Sequence, residues 1–88
     1  MNYKLITNYE DFKVNYVYLV LNKKTGNFNE LPICVTSLSD NRFVAKTIGS
    51  NFNAWSADLR TIITKYNYSY YAITDIKNFK REFPEYFL

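Results

Sequence analysis

The stretch NAWSADLRTIITKY, residues 53–66, decides the fold, because its hydrophobic period differs from that of everything before it. Trp55, Leu59, Ile62, Ile63 and Tyr66 recur at i, i+4, i+7, i+8 and i+11, which gathers them within about 100° of a helical wheel. Ser56, Arg60, Thr61, Thr64 and Lys65 take the remaining arc. The spacing predicts an amphipathic helix packed on one face of a sheet. Ser50, Asn51 or Asn53 would cap its start, and Asn67 would supply the left-handed residue that ends it.

Working back from that helix, the chain reads as strands. VNYVYLVLN, residues 14–22, is β-branched and aromatic, with Val17, Leu19 and Leu21 on one face and Val14, Tyr16, Tyr18 and Val20 on the other. A strand apolar on both faces belongs in the middle of a sheet. KKTGN follows, where Gly26 can adopt a positive φ and turn the chain. A second strand is predicted over residues 29–38, with Pro32 marking an edge or a bulge. Ser39, Asp40 and Asn41 form the next turn, and RFVAKTI, residues 42–48, gives a third strand. Near the N-terminus NYKLI is a short strand, and Asn8 caps a helical turn through Tyr9, Glu10, Asp11 and Phe12.

Beyond the helix, residues 68–74 return to strand chemistry. Thr74 or Asp75 caps a short helix, IKNFKREF, in which Ile76, Phe79 and Phe83 share a face. Pro84 ends it, and the apolar tail EYFL docks on the body. The expected fold is α+β and occupies residues 1–88 as a single domain. A small antiparallel sheet, a meander of three strands plus a later strand, carries the amphipathic helix on one face and a short C-terminal helix.

Composition removes most catalytic chemistry. The 88 residues include no histidine, one cysteine and two glycines, Gly26 and Gly49. The commonest general base, a four-ligand zinc site and a glycine-rich phosphate loop are therefore missing, and neither enzyme activity, cofactor nor metal is expected. Cys34, between Ile33 and Val35 in PICVT, reads as a buried core thiol. An unpaired cysteine fits a reducing compartment, and no apolar run reaches the length of a signal or a membrane span. A soluble cytoplasmic protein is expected.

Two surfaces remain as candidates for contact. Residues 1–40 balance in charge, so the net charge of +3 comes wholly from residues 41–88. There Lys77, Lys80 and Arg81 on the last helix, with Arg60 and Lys65 on the longer one, are candidate phosphate-binding residues. The other candidate is tyrosine. Nine Tyr, seven Phe and one Trp account for about a third of the roughly 10,000 Å² such a chain buries, so the core can hold them all. Yet Tyr16 and Tyr18 on the central strand, and Tyr68 and Tyr70 in KYNYSYYAI (residues 65–73), have the rigid apolar body and polar tip that interfaces favour. Tyr66 is assigned to the core with the helical stripe, and Tyr71 pairs with Ile73 on the core face of its strand.

The leading expectation is a non-enzymatic binding protein that blocks or modulates a macromolecular partner, a protein or a protein and nucleic-acid assembly. In composition the chain resembles the compact Asn-, Lys- and Tyr-rich products of AT-rich phages and mobile elements, among which small inhibitors of host machinery or defence are common. That likeness covers no motif and would place the protein in the host cytoplasm. The alternative is a nucleic-acid-binding domain in which the basic helix flank holds phosphates and the tyrosines stack on bases. Self-association through a sheet edge or the tail is a third outcome.

Overall fold

Strand β2 (Tyr16–Asn22) is the spine of the molecule. In the computed structural model, which describes residues 2–49 and 54–87, it is flanked along its whole length by β7 (Tyr68–Asp75) and on its other edge by two strands in succession. These are β3 (Asn27–Phe28), joined to β2 by the Lys23–Gly26 turn with Gly26 at φ 73°, and β4 (Ile33–Ser39). β3 and β4 are one broken strand, interrupted where buried Pro32 has no N–H to offer the ladder. β5 (Arg42–Thr47) and β6 (Trp55–Asp58) extend the sheet beyond β4, and β1 (Lys4–Leu5) extends it beyond β7. All seven strands pair antiparallel in the order β1-β7-β2-β4-β5-β6, with β3 beside β2. The fold is α+β as expected, but the sheet exceeds the predicted meander of three strands plus one.

The difference lies in residues 53–66. No amphipathic helix forms over the described residues 54–66; Trp55–Asp58 instead pair with Ala45–Arg42 of β5, and the residues from Leu59 to Lys65 are turns. Two physical terms outweigh the helical period. Four consecutive β-branched residues, Thr61 to Thr64, lose side-chain freedom in a helix, and the free edge of β5 offers backbone partners to the segment. Asn41 then terminates the strand: its carbonyl accepts from the Leu59 N–H at 2.8 Å and its Oδ1 from the Arg60 N–H at 3.0 Å. A single helical turn closes when the Lys65 N–H donates to the Thr61 carbonyl at 2.8 Å, and it goes no further. The capping residues expected at 50, 51 and 53 lie outside the described residues. Asn67 is not left-handed; among the described residues the non-glycine ones that are, Asn15 at φ 63° and Asp40 at φ 47°, sit in the reversals before β2 and after β4.

The sheet is strongly curled. β5 and β7 are three strand positions apart, about 14 Å in a flat sheet, yet the rings of Phe43 and Tyr70 have centroids 6.2 Å apart. Tyr18, Val20, Ile33, Val35, Phe43, Ala45 and Tyr70 fill this concave inner face. With one helix available for the other side, loops close it. From β6, Leu59 and Ile62 drop in, so the segment read as a helix still delivers two of its apolar side chains to the core. From the N-terminal side, the Asn8-capped turn Tyr9–Asp11 lays Ile6 and Phe12 over the opening.

The outer face is covered at one end. Asp75 accepts from the Asn78 N–H at 2.8 Å and starts α1 (Ile76–Glu82), which seats Phe79 against Val17, Cys34 and Ile48. Phe83, then the single turn Pro84–Phe87, continue that cover; Tyr86 packs on Phe79 at 5.5 Å and lies so close to Gly49 that a Cβ there would stand 3.4 Å from the Tyr86 carbonyl oxygen. Removing the cap by Asp75→Ala is expected to cost about 1 kcal/mol. Urea denaturation would measure it, and an unchanged midpoint would show that α1 does not depend on this bond.

Candidate functional site

Register determines which side chains share the outer face beyond α1. Leu5, Tyr71 and Leu19 are directly opposite one another across β1, β7 and β2, and Leu21 is opposite Phe28 on β3. They alternate with the inner-face residues Tyr18, Val20 and Tyr70. Tyr3, two residues before Leu5, completes the group. The rings of Tyr3, Phe28 and Tyr71 meet edge to face, with centroids 6.1, 5.6 and 5.6 Å apart, the geometry aromatic quadrupoles prefer. Tyr3, Phe28 and Leu5 are 49, 44 and 42% exposed, while Leu19, Leu21 and Tyr71 are half-buried beneath them. Scattered apolar side chains on a surface are ordinary; six that touch across four strands form a patch.

The tyrosines expected at a partner surface are redistributed. Tyr18 is 0% and Tyr70 4% exposed, in van der Waals range of Phe12 with centroids at 5.1 and 5.4 Å, so both belong to the core and cannot contact a partner. The Tyr18 hydroxyl accepts from the Lys13 N–H at 2.8 Å, a partner for the polar end of a buried ring. Tyr16 is half-buried beside Tyr18, with the Lys13 Nζ 5.5 Å from its ring centroid. Tyr68 is exposed and lines a cleft of about 370 Å³ with Trp55. Tyr66, assigned to the core, is 42% exposed because the helix that would have carried it inward is absent.

Tyr71 and Ile73 do not mark the core face either. The alternation of Tyr68 and Tyr70 against Tyr71 and Ile73 holds, but β7 is apolar on both faces: Tyr70 and Ala72 pack into the inner core and Ile73 near Phe79 on the outer face. A β-bulge lies beyond the tyrosines: Val17 pairs with Thr74 and Tyr18 with Ala72, so Ile73 is the extra residue and the period of two breaks only after it. The aromatic patch was therefore missed, since its members come from four strands and only register unites them.

Burial pushes the phenols of Tyr18 and Tyr70 up from 10.0 to about 12. The unfolded chain loses those protons near pH 10, so above that pH it binds fewer protons than the folded state. Stability from these two residues is whole below pH 10 and falls as pH rises toward 12. Phenolate absorbance followed during alkaline titration should show two of the nine tyrosines ionising only with unfolding. A titration in which all nine ionise while the protein stays folded would contradict their burial.

The basic candidates are not brought together. Lys77, Lys80 and Arg81 are exposed on α1, over the outer face, whereas Arg60 and Lys65 lie in the turns that close the inner face. Val17 and Tyr18, adjacent on β2, point into these two separate cores, so the two basic groups are on opposite sides of the sheet. Arg81 Nη1 donates to Asn78 Oδ1 at 2.9 Å, and the Lys80 Nζ lies 5.3 Å from the Phe87 ring centroid. Among the described residues no cluster of Cys, Asp or Glu has the makings of a metal site, and no helix is long and apolar enough to cross a membrane. The chain matches no family model, no curated protein and no solved structure.

Proposed function

We propose that the chain is a non-enzymatic binding protein that blocks or modulates a partner protein by placing the uncovered half of its outer sheet face against it. The observation that carries this reading is the contiguous patch of Tyr3, Leu5, Leu19, Leu21, Phe28 and Tyr71. It combines aromatic anchors with aliphatic neighbours, as the buried centres of protein interfaces do. A small domain that covers a surface needs no catalytic group, and the phage-like composition is in keeping with an inhibitor of host machinery or defence.

Nucleic-acid binding is the second reading, favoured by the three exposed cations of α1. Their separation from Arg60 and Lys65 leaves a short phosphate contact, which weakens it. Salt separates the two. Capture by the immobilised protein from extracts of its native host, at about 0.15 M and about 1 M salt, should retain an apolar protein contact and lose a phosphate-based one. The expected partner is salt-resistant and is lost when Tyr3 and Phe28 are both replaced by Ser. Capture that nuclease abolishes, or that the double variant leaves intact, would overturn the proposal.

A further inference from the structure

At the covered end of the outer face α1 does not close fully on the sheet. A cleft of about 420 Å³ remains between the helix, the Pro84–Phe87 turn and strands β4 and β5. Cys34, Ile48 and Ile76 give it an apolar lining, Phe87 contributes an aromatic wall, and Lys46 and Lys80 enter from different elements. Lys46 is fixed there by register, directly opposite Cys34 in the β4–β5 ladder. Lys80 comes from α1. No Asp or Glu lines the cleft among the described residues. Both lysines act on one place: burial pushes the Cys34 thiol up, and Lys46 and Lys80 each pull it back down.

Two cations that converge over an apolar surface without a carboxylate between them make a positive potential in a concave, partly water-excluded space. Ligand sites for small molecules have this composition, mostly apolar with a few placed polar groups, and volumes of about 300 to 1,000 Å³. We propose that this cleft binds a small organic anion, its apolar body against Ile48, Ile76 and Phe87 and its carboxylate or phosphate between Lys46 and Lys80. The thiol forms part of the wall and takes no chemical part. The site is at the opposite end of the outer face from the aromatic patch, so it stands or falls independently of the partner surface.

Titration of the full chain, with its isoleucine methyl groups labelled for NMR, tests this with three probes: phenylpropionate, phenyl phosphate and the neutral phenylpropionamide. Saturable shifts of the Ile48 and Ile76 methyls are expected with at least one anion, at a Kd of about 1 mM or tighter. The better of the two anions identifies the head group, and the amide should bind at least about tenfold more weakly. Lys46→Gln and Lys80→Gln, both at exposed positions, should each weaken the anion about tenfold, with Lys46→Arg restoring it. Absence of saturable shifts with both anions would overturn the proposal. So would equal binding of the amide, or glutamine variants that bind as the parent does.

Discussion

Phe12→Ala is expected to bring the protein close to its unfolding threshold. Phe12 is 4% exposed, and its ring meets Phe43, Tyr18 and Tyr70 at centroid distances of 4.9, 5.1 and 5.4 Å. Those three come from β5, β2 and β7, so one side chain from a loop joins both limbs of the curled sheet. Its removal loses the transfer free energy of the ring and leaves a cavity that rigid aromatic neighbours cannot collapse to fill. Such truncations cost about 3 to 5 kcal/mol. A chain of 88 residues has a total stability of about 4 to 13 kcal/mol, so most of it is at stake. Urea denaturation followed by tryptophan fluorescence and circular dichroism would measure the loss. A loss below about 1 kcal/mol would mean that residues 6–12 do not close the inner face.

The same residue shows how far the sequence could be read. Asn8 before Tyr9, Glu10 and Asp11 was a legible cap, and it forms: its Oδ1 accepts from the Glu10 N–H at 2.9 Å. The role of Phe12 as the plug was not legible, because it depends on a sheet curl that no local pattern encodes. The central strand, the Gly26 turn, the interruption at Pro32, the Asp75 cap and the end of α1 before Pro84 all rest on the chemistry of one to four adjacent residues, and each was visible.

Residues 53–66 were misread for a related reason. A spacing of i, i+4, i+7 fits a helix, but it also arises when a strand ends in a compact turn that returns Leu59 and Ile62 to the core. The run from Thr61 to Thr64 was the contrary local signal. At the candidate site the period separates Tyr68 and Tyr70 from Tyr71 and Ile73 correctly, but β7 is apolar on both faces, so an aromatic beside an isoleucine does not identify the inner core. Period assigns residues to faces, and which face curls inward is a property of the whole sheet.

The second large effect is expected from Phe28→Asp. Phe28 is 44% exposed at the end of a two-residue strand, so the substitution should change stability by less than about 1 kcal/mol. In the proposed complex the same side chain is a central anchor beside Tyr3 and Tyr71. A carboxylate there would face an apolar partner surface with no group to pair with it, in addition to the lost ring contacts. Anchors of this kind cost 2 kcal/mol or more when truncated, and a buried unpaired charge adds to that. Binding should weaken at least about hundredfold. Tyr68→Ser, at an exposed tyrosine on the inner-face side, should leave it unchanged.

The affinity of the captured partner for the Phe28→Asp protein, measured by calorimetry beside the parent and Tyr68→Ser, tests the central claim most directly. The outer-face patch as the partner surface predicts a loss of at least about hundredfold for Phe28→Asp and none for Tyr68→Ser. Parental affinity in a folded Phe28→Asp protein would contradict it.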